Sequence, residues 1–401
     1  METQNLSGSI SKAAEVLKAG GLVAVPTETV YGLAANGFLD TAVSKIYEVK
    51  GRPEYKPLSL MVKGAETIGT LCEEIPKAAY ILADVFWPGP LTIVLKAKKT
   101  IPDIVRAGGE TVGLRCPDHT QLQELLGAVD FPLAAPSANP SGEKSPVTAA
   151  EVLRYFDGRI EGIIDGGECT LGKESTIIDL SKTPYTILRE GAVSADEVFM
   201  ALTASLTIIG ITGGTGSGKT TALSVVKDMG GLVIDADAVY HTLLNESEAM
   251  LNALNERFPG VIPEGTLDTK ALGEIVFSNP EELRALNAIT HRFVGEEIAK
   301  QLTDWARLGK DLAAIDAIAL LEGGTANICK ATVGIIAPTE ARIERLMKRE
   351  KITREYAVLR ISAQKPNEYF ENNCDFTVNN DGMEESFRIK CMEVFEGIVR
   401  R

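Results

Sequence analysis

Apolar residues fall along this chain in two recurring arrangements. Short runs such as "GLVAVPT", "PLSLMV", "LTIVLKA", "TVGLRCP", "PLAAPS", "GIIDGG", "STIIDL" and "YTILRE" are bounded by glycine, proline or charge. Runs of that length and composition predict strands. Between them, "DTAVSKIYEVKG", "IPKAAYILADVFWPG" and "TAAEVLRYFDG" space their apolar residues three and four apart, which predicts helices. The first 200 or so residues therefore read as mixed α/β with more strands than helices. From Leu206 the rhythm changes: a strand "LTIIGIT", a glycine-rich loop, a helix "KTTALSVVKDMG" and a strand "GLVIDAD". "LAAIDAIALL" and "TVGIIAP" follow later as further strands. Strand, loop, helix, strand opens a parallel α/β sheet. The join, Arg189–Ser205, reads as a closing turn and helix, so domains are expected at residues 1–205 and 206–401.

Composition narrows this picture. A chain of 401 residues, 45% hydrophobic and 24% charged, has room for two or three ordinary globular domains. No apolar run approaches the length of a membrane span. The first residues lack the basic start and apolar core of a secretory signal. The six cysteines are scattered with no CxxC pair, so neither a zinc site nor a disulfide framework is expected. A cytoplasmic protein is the expectation. Net charge is −14, shared evenly between the halves. That disfavours strong nucleic-acid binding and means that anionic substrates must be met by local cation clusters.

"ITGGTGSGKTT", Ile211–Thr221, satisfies the pattern GxxxxGKS/T. Glycines let consecutive backbone N–H groups turn towards phosphate oxygens, and the following helix adds its N-terminal dipole. Gly213, Gly214, Gly216, Ser217, Gly218, Lys219, Thr220 and Thr221 are the candidate ATP-binding residues. Lys219 would reach the β- and γ-phosphates, and Thr220 would ligate Mg2+. "VIDADAVYHTLL" places Asp235 and Asp237 at the end of the next strand, where a carboxylate could take a proton from an attacking hydroxyl. A helix cap or a group near the metal explains either residue as well.

Residues 207–401 resemble dephospho-coenzyme A kinase. The matching segments are "GITGGTGSGKTT", "VIDADAVYHTLL", "GTLDTKALGEIVFSNPEELRALNAITH", "DAIALLEGG", "TREYAVLRISAQ" and "CDFTVNN". The resemblance implies transfer of the ATP γ-phosphate to the ribose 3′-hydroxyl of dephospho-CoA. It makes Asp237 the catalytic base and assigns Arg345, Arg349, Arg360 and Gln364 to the lid and phosphate-binding region.

In the first half, Lys50, Arg52 and Lys56 form K-x-R-x-x-x-K between a helix and a strand. Three cations so close suggest a triphosphate or carboxylate site, though a solvated basic turn has the same sequence. "APSANPSG" puts Ser137, Asn139 and Ser141 just past an apolar strand, which suits ligand binding or a tight turn. "GLRCP" with Arg115, "GKESTIIDL" with Ser175 and "ILREG" with Arg189 follow. In this order and spacing they resemble the YrdC/TsaC family of threonylcarbamoyl-AMP synthases over about residues 8–204. That family makes threonylcarbamoyl-adenylate from L-threonine, bicarbonate and ATP, for proteins of the tRNA t6A modification. The resemblance implies ATP contacts from Lys50, Arg52, Lys56, Thr111, Asn139, Ser145 and Arg189. It implies a threonine side lined by Tyr31, Arg115, Ser137 and Ser175. Many two-domain members have histidine at the position of Met61 and asparagine at that of Lys56; this chain follows the lysine variant. The rival readings are an RNA-binding module for the first half and another small-molecule P-loop kinase for the second.

Overall fold

Leu91, Ile93 and Leu95 alternate along one strand and are all buried, as period-two patterning requires. That strand sits inside a large mixed sheet in the computed structural model, which describes residues 2–317 and 320–401. The chain divides into two compact units, Met1–Ala204 with Arg307–Gly309, and Ser205–Ala306 with Lys310–Arg401.

Among the described residues the first unit contains ten strands: β1 (Gln4–Asn5), β2 (Val23–Val25), β3 (Gly32–Asn36), β4 (Ser59–Met61), β5 (Leu91–Lys96), β6 (Thr111–Arg115), β7 (Leu133–Ala134), β8 (Gly162–Ile163), β9 (Thr176–Asp179) and β10 (Thr186–Arg189). They form one sheet in the order β1-β8-β2-β3-β7-β4-β6-β5-β9-β10. Parallel pairs (β4 with β6, β5 with β9) are mixed with antiparallel ones (β3 with β7, β5 with β6). The helices Ile10–Lys18 and Thr120–Ala128 bury Ala13, Ala14, Leu17, Leu122, Leu125 and Leu126 against this sheet. Each fully buried leucine contributes roughly 1.5–3 kcal/mol. The helix expected after Arg189 is Ala195–Ala204. β1 and β3 were not expected, because two residues carry no pattern and "GLAAN" is rich in residues that favour no strand.

The second unit has five strands among its described residues: β11 (Thr207–Thr212), β12 (Leu232–Asp235), β13 (Leu312–Asp316), β14 (Ala331–Ile336) and β15 (Phe376–Asn379). Their order is β12-β13-β11-β14-β15 and every pair is parallel. The helices Lys219–Asp228 and Glu384–Arg400 cover the sheet with Ala222, Val225, Val226, Phe387, Cys391, Phe395 and Ile398. The expected strand "LAAIDAIALL" ends at Asp316; residues 318 and 319 lie outside the described residues. Parallel strands bring their carboxyl ends to one edge, where ligands of such sheets bind. Here that edge carries Thr212, Asp235 and Asp316. Among the described residues no helix is long and apolar enough to cross a membrane.

Candidate active sites

In the first unit a cavity of about 380 Å³ opens where strand ends meet the segments before β3, β4 and β9 and the loop after β7. Tyr31, Lys50, Arg52, Lys56, Arg115, Ser137, Asn139, Ser145, Ser175 and Arg189 all line it. Thr111 does not. It starts β6 at the end opposite Arg115, roughly 13 Å away at about 3.3 Å per residue. Met61 and Arg115 are side-by-side partners on β4 and β6, and both face the cavity.

Several of these groups are committed within the protein. Lys50 is 3% exposed, and its Nζ donates to the carbonyl oxygens of both Ser137 and Asn139. It therefore pins the turn after β7 to the end of the helix Asp40–Lys50, a structural task beside the nucleotide contact expected of it. Burial, helped by the Arg52 charge, pushes its ammonium down to about 7. Arg52 donates through Nε to Lys56 O (3.2 Å) and through Nη2 to Pro57 O (2.9 Å), which closes the basic turn. Asn139 gives Nδ2 to Glu143 O at 2.6 Å, while its Oδ1 is buried with no hydrogen-bond donor. Tyr31 donates to Gly167 O at 2.7 Å, and burial raises its hydroxyl to about 12, so it is a neutral donor near neutrality. Ser175 Oγ lies 2.9 Å from Thr92 Oγ1.

Arg115 belongs to a buried pair the sequence did not reveal. Its Nη2 meets Glu28 Oε1 at 2.7 Å and Thr29 Oγ1 at 2.8 Å. Both charged side chains are under 9% exposed. A buried ion pair adds little net stability, but removing one partner strands the other, which costs about 3–5 kcal/mol. The signal for Glu28 was an acid inside a long apolar stretch, "VAVPTETVYGLAA", which asks for a partner. Glu174, on the cavity wall between Ser145 and Arg189, was likewise overlooked within "GKEST".

In the second unit the glycine loop joins β11 to the helix Lys219–Asp228. Gly218 has φ +111°, and a Cβ there would meet Asn380 Nδ2 at 2.2 Å. A Cβ on Gly213 would meet Ile335 O at 2.3 Å. Glycine is thus required by both backbone angle and space. The loop is braced from outside. Arg345 Nη1 donates to Gly216 O at 3.2 Å and Nη2 to Asn380 Oδ1 at 3.1 Å. Asn380 Nδ2 donates to Ser217 O at 2.8 Å. Gln364 clasps Thr215 twice, through Thr215 N at 2.8 Å and Oγ1 at 2.6 Å. Buried Arg342 donates to Thr215 O and Gln364 Oε1. Arg342 and Asn380 were not singled out from the sequence, since the loop carbonyls they hold lie more than 120 residues away, although Asn380 ends the segment "CDFTVNN". Arg349 and Arg360 are placed differently: both pair with Glu350 at the end of the helix Thr339–Glu350.

Lys219 stands among carboxylates. Asp316 Oδ1 lies 3.6 Å from its Nζ. Asp235 and Asp316 are register partners on β12 and β13. Asp235 caps the helix Ala236–Glu246 by accepting from the N–H groups of Asp237 and Ala238, each at 3.0 Å. Asp237 accordingly sits in the first turn of that helix, two residues beyond the strand end. Burial, then the Asp235 charge, raises the Asp237 carboxyl above the usual aspartate range, while Lys219 pulls it back. Asp316 is raised chiefly by burial. Its signal was an acid ending an apolar strand, in "LAAID".

Among the described residues no three His, Cys, Asp or Glu side chains converge to cage a metal. The donors near the loop, the Thr220 hydroxyl and three carboxylates, are all oxygen. Asp316 Oδ1 is buried with no hydrogen-bond donor. Such a set fits magnesium, which keeps several waters and shares phosphate oxygens instead of filling a protein cage.

The family model for Sua5/YciO/YrdC proteins, described as telomere recombination, matches residues 15–191. The model for dephospho-CoA kinase (CoaE) matches residues 207–385. A threonylcarbamoyl-AMP synthase of Pyrococcus abyssi is 46% identical over 186 residues, covering 46% of this chain and 55% of the relative. The chain thus spans about half the length of that relative and of its Bacillus subtilis counterpart. A putative threonylcarbamoyl-AMP synthase of Methanocaldococcus jannaschii is 38% identical over 180 residues, 43% of this chain and 81% of the relative. A dephospho-CoA kinase of Dehalococcoides mccartyi is 35% identical over 176 residues, 43% of this chain and 88% of the relative. With the cavity in one unit and the braced glycine loop in the other, the chain belongs to the Sua5/YciO/YrdC family through its first half and to the dephospho-CoA kinase family through its second.

Proposed function

We propose that the chain carries two ATP-using activities. Residues 1–205 condense L-threonine, bicarbonate and ATP to threonylcarbamoyl-adenylate and pyrophosphate. Residues 206–401 phosphorylate the ribose 3′-hydroxyl of dephospho-CoA. The observation that supports this reading is that each unit has a cationic constellation of its own, suited to phosphate: Arg52, Lys56 and Arg189 around one cavity, and the glycine loop with Lys219 in the other.

In the first site the threonine amine and bicarbonate give a carbamate and water. A carbamate oxygen then attacks the α-phosphorus, the bond to the β-phosphate oxygen breaks, and pyrophosphate leaves. This needs charge stabilisation and positioning, not a protein nucleophile. Arg52, Lys56 and Arg189 meet the phosphate charge. The buried Asn139 Oδ1, which accepts no hydrogen bond, suits a donor on the ligand. Arg115, Tyr31, Ser137 and Ser175 face the threonine end. The adenylate would pass to the proteins of tRNA t6A modification.

In the second site Asp237 takes the proton of the ribose hydroxyl as that oxygen attacks the γ-phosphorus, and ADP leaves. Its raised pKa brings its basicity nearer to neutrality, which favours proton transfer. Lys219 holds the β- and γ-phosphates, and Arg345 and Gln364 keep the loop in its binding shape. Thr220 and the nearby carboxylates would hold magnesium, which when bound would supply charge neutralisation to the phosphates. The test is a pair of assays on the purified chain: dephospho-CoA phosphorylation, and pyrophosphate release dependent on both threonine and bicarbonate. Pyrophosphate release indifferent to threonine, or phosphorylation of nucleosides in preference to dephospho-CoA, would overturn the corresponding half.

A further inference from the structure

Two residues assigned to the nucleotide, Ser145 and Arg189, are already bonded to one anion. Glu174 lies just before β9 and lines the same cavity. Its Oε1 accepts from Ser145 Oγ at 2.8 Å, and its Oε2 is ion-paired with Arg189 Nη1. The charge of Glu174 also reaches Lys50 and Arg52, where it opposes the effect of burial. A carboxylate offers a guanidinium the same acceptor geometry as two phosphate oxygens. The backbone here is strapped down: Ala192 N donates to Glu174 O at 2.9 Å, and Arg189 Nη2 donates to Ser175 O at 2.8 Å. The Glu174 side chain, 37% exposed, has solvent to swing into.

We infer that Glu174 is an internal counter-anion that holds the phosphate positions at Arg189 and Ser145, is displaced by an incoming nucleoside triphosphate, and so sets the cavity's affinity for polyphosphate. The inference rests on reading this cavity as the ATP site. A phosphate chain bound with Glu174 still in place would put like charges side by side, which is unfavourable for both. The carboxylate must therefore leave, and its departure breaks an ion pair and a hydrogen bond before any phosphate contact forms. Because the pair is partly exposed, its loss is a modest cost, and the effect on affinity is expected to be about three- to tenfold.

The test uses the full chain with Lys219→Ala, so that polyphosphate binding at the glycine loop is weakened, and inorganic tripolyphosphate as the probe in calorimetry. Glu174→Gln keeps an acceptor for Ser145 and loses the charge. It is expected to bind tripolyphosphate about three- to tenfold more tightly than its Lys219→Ala parent. On an Arg189→Ala background the same substitution is expected to give a smaller gain, because the competed cation is gone. Unchanged or weaker binding by Glu174→Gln, with folding verified by circular dichroism, overturns the inference and makes Glu174 a mere brace for Arg189. Glu174→Ala serves the same comparison should the glutamine chain not fold. Threonine- and bicarbonate-dependent pyrophosphate release, measured on the unsubstituted chain, decides only the reaction. The tripolyphosphate arm alone decides the counter-anion.

Discussion

At Asp237 four influences meet on one carboxyl: burial and Asp235 raise its pKa, and Lys219 and His241 lower it. A base is lost as pH falls through its pKa. The acid limb of kcat/KM for dephospho-CoA phosphorylation should therefore lie above the pH of an ordinary aspartate. Asp235→Asn keeps the helix cap but removes a negative neighbour, so that limb should move to lower pH; a limb that stays put would exclude Asp237 as the titrating base. Asp237→Asn keeps shape and loses basicity, and kcat should fall about 10²- to 10⁴-fold with ATP still bound. Near-normal turnover would place the base elsewhere. In the other unit, Arg52→Ala removes both a phosphate cation and the bonds that close the basic turn. A lost charged hydrogen bond costs roughly 1.5–3 kcal/mol, about 10- to 100-fold in pyrophosphate release. An unchanged rate would reduce K-x-R-x-x-x-K to a solvated turn. These residues were legible in the sequence because each stands inside a short motif whose chemistry is local.

Among the elements, the strand–loop–helix from β11 to Asp228 was the easiest to read. Its apolar period, its glycines and its lysine lie within 22 consecutive residues, 207–228. The loop's shape depends on more than that. The helix Thr339–Glu350 brings Arg342 and Arg345 to its carbonyls, and Asn380, just after β15, closes the last turn. Gly218→Ala would place a Cβ against Asn380 at a φ that costs about 1–3 kcal/mol for other residues. Dephospho-CoA phosphorylation should show an ATP KM at least about tenfold higher, while threonine-dependent pyrophosphate release holds its rate. An unaltered KM would mean the loop tolerates the side chain by moving Asn380. The two-residue β1 escaped reading because two residues have no period; it is paired in parallel with β8.

For the whole molecule the separation of cation sets makes a prediction. Lys219→Ala should abolish most dephospho-CoA phosphorylation, since the β- and γ-phosphates lose their lysine. Threonylcarbamoyl-adenylate formation in the same full-length chain should continue at its usual rate, because Arg52, Lys56 and Arg189 belong to the first unit. A parallel loss of both reactions would show coupling. The sequence alone determined the two-part plan, the type of the longer elements, the glycine loop, the basic turn and the resemblance to two families. All of these depend on residues close in the chain, where spacing and backbone stereochemistry suffice. The tertiary structure decided which polar and charged groups meet: Arg115 with Glu28, 87 residues apart, Lys219 with Asp316, and the Asn380 amide with the Ser217 carbonyl, 163 residues apart. It also decided that Lys50 holds carbonyls, that Thr111 lies away from the cavity and that Arg349 and Arg360 turn to Glu350. Sheet order and helix packing bring such groups together, and each buried charge then binds the partner at hand because a charge without one is too costly inside the protein.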